Sequence, residues 1–128
     1  MGAVALSEKN FADTVKQGIV LVDFWAAWCG PCRAFAPVFE AAAGRHEDVV
    51  FAKVDTEAEP GIAAAFEIRA IPTLMAFRDG VLLFSQAGVL PASALDQLVA
   101  QLKKLDMDEV RREIEKADAA AQSGENPA

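Results

Sequence analysis

Several features are scarce or missing in this sequence of 128 residues, and each absence excludes a class of protein. No apolar run approaches the roughly 20 residues that a membrane-spanning helix needs. Basic residues number 12 against 19 acidic ones, and they form no patch that would bind nucleic acid or an anionic membrane surface. Two cysteines are too few for the disulfide framework of a small secreted protein.

We expect the N-terminal segment, residues 1–6, to be neither a secretory signal nor a myristoylation site. It lacks the basic region and the long apolar core of a secretory signal, and position 6 is Leu where a myristoylation motif requires Ser or Thr. The chain also has no glycine-rich dinucleotide fingerprint. We therefore predict a cytoplasmic protein that binds no nucleotide cofactor, no nucleic acid and no membrane.

The residues that are present are typical of one soluble globular domain. Hydrophobic residues make up 53% of the chain and charged residues 24%. A continuous β-branched and aromatic run at residues 19–25 predicts a strand that is buried on both faces. Further strands are predicted over residues 49–55, 73–77 and 81–84, and an Asp-Gly hairpin turn joins the last two.

Helices are predicted between these strands. One begins at a Ser7 cap and runs to about residue 15, and a second spans residues 32–43 with Pro37 inside it. A third covers residues 60–66, and a fourth starts at Pro91. The alternation of strands and helices predicts a mixed central sheet that is covered on both faces.

The composition changes near residue 103, after which charged side chains are frequent. A thin apolar stripe at helical spacing consists of Met107, Val110, Ile114, Ala117 and Ala121. We predict a domain over residues 1–105 and a charged extension over residues 106–128, with a helix at 107–120 and a disordered end from Gln122. Because the stripe is narrow, we expect this helix to project or to meet a partner rather than to join the core.

The segment Trp28-Cys29-Gly30-Pro31-Cys32 carries the main chemical signal, because it follows a buried strand and opens a helix. The helix N-terminus would stabilise the Cys29 thiolate, so Cys29 would attack a substrate disulfide and the more shielded Cys32 would resolve the mixed disulfide. A zinc site and a pair of inert cysteines are the alternatives. Zinc needs more ligands than these, and we expect His46 to be a solvated residue at the far end of the same helix.

Two charged residues interrupt the predicted strands. Asp23 lies in the apolar run, where burial without a partner would raise its pKa. There it could accept and return the proton of Cys32; the alternative is an exposed strand position. Lys53 interrupts the second strand and either pairs with Asp23 or extends to water at the strand end.

The segment Ile71-Pro72-Thr73 and Gly88 mark turns. A proline just before a buried strand is typical of a tight turn, in which the preceding bond is trans or cis. Gly88 follows the hairpin and indicates close approach of another backbone. Trp28 is either a core residue or an exposed rim for a partner.

Together these motifs resemble the thioredoxin family. The stretch from Val22 to Cys32 matches the family's active-site segment almost residue for residue, and the resemblance covers about residues 4–105. Other residues at family positions, in family order, are Pro37, Lys53, Asp55, Ile71-Pro72-Thr73, Asp79-Gly80 and Gly88. Two positions depart from the pattern, since Ala70 replaces a frequent Gly and Arg33 replaces a frequent Lys.

The resemblance implies an α/β thioredoxin fold, with a central five-stranded mixed sheet flanked by four helices and, here, an extra C-terminal charged helix. It implies that Cys29 is the nucleophile, Cys32 the resolving thiol, Asp23 the buried proton acceptor, Lys53 its modulator and Pro72 a cis-proline that faces the disulfide. The apolar patch that docks substrate would consist of Trp28, Gly30, Pro31, Ile71 and Gly88.

The two residues between the cysteines indicate the direction of the reaction. Oxidant relatives commonly carry His there, whereas this chain has Gly-Pro and no cation between the thiols, which favours a reductant. The resemblance therefore implies a monomeric protein-disulfide reductase, recharged by a thioredoxin reductase that uses NADPH, with disulfide-containing proteins as substrates. The alternative is a thioredoxin-fold binding or assembly module that docks through the tail.

Overall fold

A computed structural model describes residues 2–122, and five strands and five helices follow one another along this part of the chain. They are, in chain order, β1 (Val4–Ala5), α1 (Phe11–Val15), β2 (Ile19–Trp25), α2 (Gly30–Arg45), β3 (Val50–Asp55), α3 (Pro60–Ala65), β4 (Thr73–Arg78), β5 (Val81–Ala87), α4 (Ala92–Lys104) and α5 (Met107–Gln122). Within residues 2–122, no helix is both long and apolar enough to cross a membrane.

The strands form one mixed sheet in the order β1-β3-β2-β4-β5, which confirms the predicted architecture. β2 lies at the centre, parallel to β3 and antiparallel to β4. It has the predicted bounds. A strand covered on both faces needs apolar side chains at nearly every position, so the length of the apolar run marks the length of the strand. β1 pairs with β3 and was not among the strands predicted from patterning, since two residues are too few to show a periodicity.

The two faces of the sheet carry separate cores. On one face Leu21 packs with Phe39 of α2 and Leu95 of α4. On the other face Val22 belongs to the core formed with α1 and α3. Because side chains alternate along a strand, Asp23 shares the face of Leu21 and lies under α2.

Two helices begin at residues other than those predicted. α1 begins at Phe11 rather than after Ser7, because the chain first forms a turn in which the Asn10 side chain accepts the N–H of Ser7 at 2.7 Å. α2 begins at Gly30, earlier than predicted, because Cys29 itself caps the helix. The second difference places Cys29 at the helix N-terminus, directly before the first turn.

The predicted Asp79-Gly80 turn joins β4 and β5. Both residues have a positive φ, 52° and 85°, which suits a two-residue hairpin. The tip is held against the end of α1, since the Asp79 N–H donates to the Gly18 carbonyl at 2.9 Å and the Gly80 N–H to the Val15 carbonyl at 3.0 Å. β5 runs three residues beyond the predicted strand.

α5 begins at Met107 as predicted. The side chain of Asp106 accepts the backbone N–H groups of Asp108 and Glu109 at 3.0 and 3.2 Å, which satisfies the first turn. The expectation that this helix stays out of the core is wrong at its first residue, because Met107 is buried. Farther along the same stripe Ile114 is exposed.

Arg78 holds the joint between α4 and α5. Its Nη1 donates to the carbonyl oxygens of Leu102 and Leu105 at 2.7 and 2.8 Å, which satisfies groups at the C-terminal end of α4. At the far end of α5, Gln122 is helical rather than disordered. The rest of the predicted disordered end, residues 123–128, lies outside the described residues.

Candidate active site

The two cysteines lie where β2 leads into α2. The Sγ of Cys29 accepts the backbone N–H of Cys32 at 3.1 Å, and the two residues form a disulfide with their Cα atoms 5.2 Å apart. Gly30 and Pro31 occupy the first turn, where the missing N–H of proline costs no helical hydrogen bond. The positive end of the helix dipole therefore faces Cys29, an arrangement that stabilises a thiolate once the disulfide is reduced.

The two cysteines are both buried. Cys29 is 5% exposed and Cys32 2% exposed, so Cys32 is the more shielded by a small margin. The bond between Ile71 and Pro72 is cis, which is one of the two forms that the sequence left open. The Ile71 carbonyl oxygen lies 3.7 Å from the Cys29 Sγ, so this turn lies directly against the disulfide.

Gly88 forms the other side of the same turn. Its N–H donates to the Pro72 carbonyl at 2.8 Å, which confirms the predicted approach of another backbone. The need for glycine has a different origin, because the φ of Gly88 is +100° and no atom lies within 4 Å of the position that a Cβ would take. A side chain there would strain the backbone without any clash.

Asp23 is a buried carboxyl group under α2. It is 4% exposed, and its Oδ1 has no hydrogen-bond partner among the described residues. Burial raises the pKa of Asp23 to about 7, against a smaller opposing effect of the Lys53 charge. Asp23 and Cys32 line one cavity of about 120 Å³, which has room for water to carry a proton between them.

Lys53 is the neighbour of Asp23 across the β2–β3 pair. Its ammonium nitrogen lies 3.9 Å from Glu40 Oε1 and 6.0 Å from the centre of the Trp25 ring, and the side chain is partly exposed. Of the two predicted alternatives the lysine takes the second, because no ion pair joins it to Asp23 within the described residues. It extends towards water beside Glu40, and its charge still lowers the pKa of Asp23 through space.

An apolar surface surrounds the disulfide. Trp28 is 68% exposed, which makes it a rim residue rather than a core residue. Gly30, Pro31 and Gly88 are exposed and Ile71 is partly exposed, so all five predicted docking residues are accessible around the cysteines. A groove of about 190 Å³ lies between Trp28 and Ile71.

Comparison with known proteins assigns this site to a family. The family model for thioredoxin matches residues 2–104. The chain belongs to the thioredoxin family. A putative thioredoxin 2 of Streptomyces coelicolor is 52% identical over 122 residues, which cover 94% of this chain and 90% of that protein. The thioredoxin of Staphylococcus saprophyticus is 40% identical over 100 residues, which cover 77% of this chain and 96% of that protein.

A solved structure agrees with this assignment. A chain from the work described as "Structural basis of the thiol resolving mechanism in yeast mitochondrial 1-Cys peroxiredoxin via glutathione/thioredoxin systems" superposes with a TM-score of 0.71 at 29% identity, covering 77% of this chain and 94% of that chain. As a member of this family with a Cys29–Cys32 disulfide, the protein is a thiol–disulfide oxidoreductase. Within the described residues, no group of three or more His, Cys, Asp or Glu side chains is placed to hold a metal ion.

The site also contains two polar contacts that were not predicted from the sequence. The Trp28 indole N–H donates to Glu57 Oε1 at 2.8 Å, which orients the rim tryptophan. Glu40 Oε2 accepts the backbone N–H of Ala3 at 2.9 Å. The partners are 29 and 37 residues apart in sequence, so no local pattern indicates either contact.

His46 corrects an expectation at the other end of α2. It is partly buried rather than solvated, with Nε2 2.6 Å from Asp96 Oδ1 and its ring stacked on Phe51 at 6.3 Å between centroids. Arg45 donates to the same oxygen from Nε and Nη2 at 3.2 and 3.0 Å. The contacts with His46 and Arg45 lower the pKa of Asp96. His46 therefore belongs to a structural link between α2 and α4.

Proposed function

We propose that this thioredoxin is a protein-disulfide reductase. The observation that carries the proposal is the Cys29–Cys32 disulfide at the N-terminus of α2, with only Gly30 and Pro31 between the cysteines. A cation between the thiols would stabilise the reduced form and make the disulfide oxidising, and the Gly-Pro pair supplies none. The dithiol form therefore donates electrons to substrate disulfides.

The reaction begins at Cys29. Its thiolate attacks one sulfur of the substrate disulfide, the substrate S–S bond breaks, and the departing sulfur takes up a proton. Asp23 then accepts the proton of the Cys32 thiol through the cavity that both residues line, while Lys53 modulates Asp23 by its charge. The Cys32 thiolate attacks the Cys29 sulfur, which breaks the bond to the substrate sulfur and forms the Cys29–Cys32 disulfide. The substrate sulfur leaves as a thiolate, and the proton held by Asp23 is returned to it. Two electrons have then passed to the substrate.

The substrate docks on the apolar surface around the disulfide. An extended segment of the substrate pairs with the backbone beside Ile71, in a form of strand addition, and the cis-Pro72 turn faces the reacting sulfurs. The apolar contacts come from Trp28, Gly30, Pro31, Ile71 and Gly88.

The oxidised protein is recharged by a thioredoxin reductase that takes its electrons from NADPH. A reductant of this kind works in a reducing compartment, so we assign the protein to the cytoplasm. It acts as a monomer on disulfide-containing proteins. Residues 1–105 form the domain that carries this activity, and residues 106–128 are an extension of it.

Reduction of insulin by dithiothreitol tests the reductase function. Wild-type protein should accelerate it, and Cys29→Ser should leave the background rate. Cys32→Ser should trap substrates as mixed disulfides on Cys29, whereas the double variant Cys29→Ser/Cys32→Ser should trap none. A wild-type rate equal to the background would contradict the proposal, and trapping by Cys29→Ser alone would reverse the roles of the two cysteines.

The exposure of α5 favours a second candidate function, a binding or assembly module that docks through residues 106–128. Ile114 is exposed on this helix, and the match with the Streptomyces protein covers enough of the chain to continue into α5. A pure adaptor would bind its partner through the tail and would leave insulin reduction at the background rate.

A further inference from the structure

Glu40 connects the Asp23 cavity to the N-terminal segment of the chain. It lies on α2 about two turns after Cys32 and lines the cavity. Its Oε2 accepts the Ala3 N–H at 2.9 Å, while its Oε1 lies 3.9 Å from the Lys53 ammonium nitrogen. The carboxylate is therefore held by the backbone on one side and faces a cation on the other.

The charged groups around Asp23 come from two elements. Those that line its cavity are Lys53 of β3, Arg33 of α2 and Glu40 of α2. Arg33 is turned towards the preceding loop, because its Nη1 donates to the Ala27 carbonyl at 2.8 Å. On β4 the neighbour of Asp23 is the apolar Leu74, and Cys32 does not titrate while it is in the disulfide. Lys53 is thus the cation whose charge opposes the effect of burial on Asp23.

We propose that Glu40 is a positioning residue: it holds the Lys53 ammonium group at the mouth of the cavity and thereby withholds this cation from Asp23. The proposal rests on the proposed function, in which Asp23 takes the proton of Cys32. Two carboxyl groups compete for one lysine. Pairing with the partly exposed Glu40 costs less desolvation than moving the ammonium group inwards to a buried partner. Asp23 Oδ1 is therefore left without a hydrogen-bond partner among residues 2–122.

Burial has the largest effect on the pH at which Asp23 can act, and this competition limits the smaller, opposing effect of the Lys53 charge. A lysine paired with Asp23 would stabilise the carboxylate and make it a weaker base. With the lysine withheld, Asp23 exchanges its proton near neutral pH, where it can both accept and return the proton of the resolving thiol. Glu40 contributes to the reaction without contacting either sulfur or substrate.

Titration of the Asp23 carboxyl group tests the proposal. The carboxyl 13C chemical shift is followed against pH in the oxidised protein, where neither thiol titrates, for wild type, Glu40→Gln, Lys53→Met and the double variant. Gln keeps an oxygen for the Ala3 N–H and removes only the charge. We expect Glu40→Gln to lower the Asp23 midpoint by about one pH unit, the low end of the effect of a cation beside a carboxylate, and Lys53→Met to raise it.

The double variant separates positioning from direct repulsion between the two carboxylates. If Glu40 acts through Lys53, adding Glu40→Gln to Lys53→Met leaves the midpoint where Lys53→Met put it. An unchanged midpoint in Glu40→Gln, or the same downward shift with and without Lys53, would overturn the proposal. Glu47→Gln makes the same charge change outside the cavity and should leave the midpoint in place.

Catalysis is measured separately, so the two proposals fail in different ways. If the wild-type protein is active and Glu40→Gln leaves the Asp23 midpoint unchanged, only the positioning role is refuted. Wild-type protein without insulin-reducing activity would refute the reductase function, whatever the titration shows. In an active enzyme, the rate of mixed-disulfide resolution is also measured against pH. Glu40→Gln should shift the acid limb of this profile to lower pH, and Glu47→Gln should leave it in place.

Discussion

A carboxyl group lies near each end of α2, and the two differ in whether they have hydrogen-bond partners. Near the N-terminal end, Asp23 Oδ1 has no hydrogen-bond partner among the described residues, and burial raises the pKa of Asp23 to about 7. Near the C-terminal end, Asp96 contacts His46 and Arg45, which lower its pKa. An unpartnered carboxyl group in a protein interior is costly, so its presence beside a dithiol indicates chemistry, whereas the well-partnered cluster indicates structure.

The largest expected effect comes from removing the nucleophile at the N-terminal end of α2. Cys29→Ser should lower the rate of insulin reduction by at least about a thousandfold, because it removes the nucleophile. His46→Asn, at the other end of the same helix, should keep the rate within about twofold, because His46 contacts only structural groups. Turbidity assays at matched protein concentration give both rates. Comparable losses in the two variants would remove the functional difference between the ends.

Asp23→Ala should stabilise the fold at pH 8. The folded-state pKa of about 7 lies above the ordinary value of 3.8, so the folded protein holds this proton more tightly than the unfolded chain, and stability falls as the pH rises from about 4 to 7. Ionisation of Asp23 therefore lowers the free energy of unfolding by roughly 4 kcal/mol at most. Replacement by Ala removes this cost but also loses some packing, so we expect the variant to be more stable by about 2 kcal/mol.

Urea unfolding at pH 8 and pH 4 measures this change in stability. At pH 4 the folded protein is almost fully protonated at Asp23 and the unfolded chain is about half protonated, so most of the ionisation cost has disappeared and the gain should be absent there. A loss of more than about 1 kcal/mol at pH 8 would show that Asp23 is well partnered and structural.

Asp96→Ala should act in the opposite direction. The contacts with His46 and Arg45 lower the folded-state pKa of Asp96, so its stabilising contribution is present above about pH 4 and is lost as the pH falls through the lowered value. Because the pair with Arg45 is partly exposed, we expect a loss of at most about 1 kcal/mol at pH 7. The same urea titrations measure it, and a more stable Asp96→Ala variant would contradict the contrast between the two ends.

The smallest effects extend the comparison to α5. Met107 is 7% exposed and Ile114 is 40% exposed on the same stripe. Met107→Ala should cost about 1 kcal/mol, less than a deep core truncation, and Ile114→Ala less than about 0.5 kcal/mol. Thermal unfolding gives both values, and insulin reduction should stay within about twofold. Equal losses would show that α5 packs along its length.

Local sequence patterns predict the elements that hold the disulfide. The run Ile19–Trp25 predicts a doubly buried strand, the Cys-Gly-Pro-Cys segment predicts a helix start, and the Asp79-Gly80 pair predicts a hairpin. In each case the cause lies within a few neighbouring residues, because burial of a strand, proline in a first turn and positive φ are local properties. The same run also predicts the raised pKa of Asp23, since apolar neighbours on a central strand imply desolvation.

Long-range packing selects which polar side chains contact one another. Lys53 faces Glu40 rather than pairing closely with Asp23, and His46 contacts Asp96 rather than water. The His46 and Asp96 side chains come from helices 50 residues apart in sequence, and Glu40 is fixed by a backbone group 37 residues away. Such contacts depend on how α2 packs against β3, α4 and the segment before β1. Each long polar side chain then takes the partner that costs least desolvation, and no sequence pattern encodes that choice.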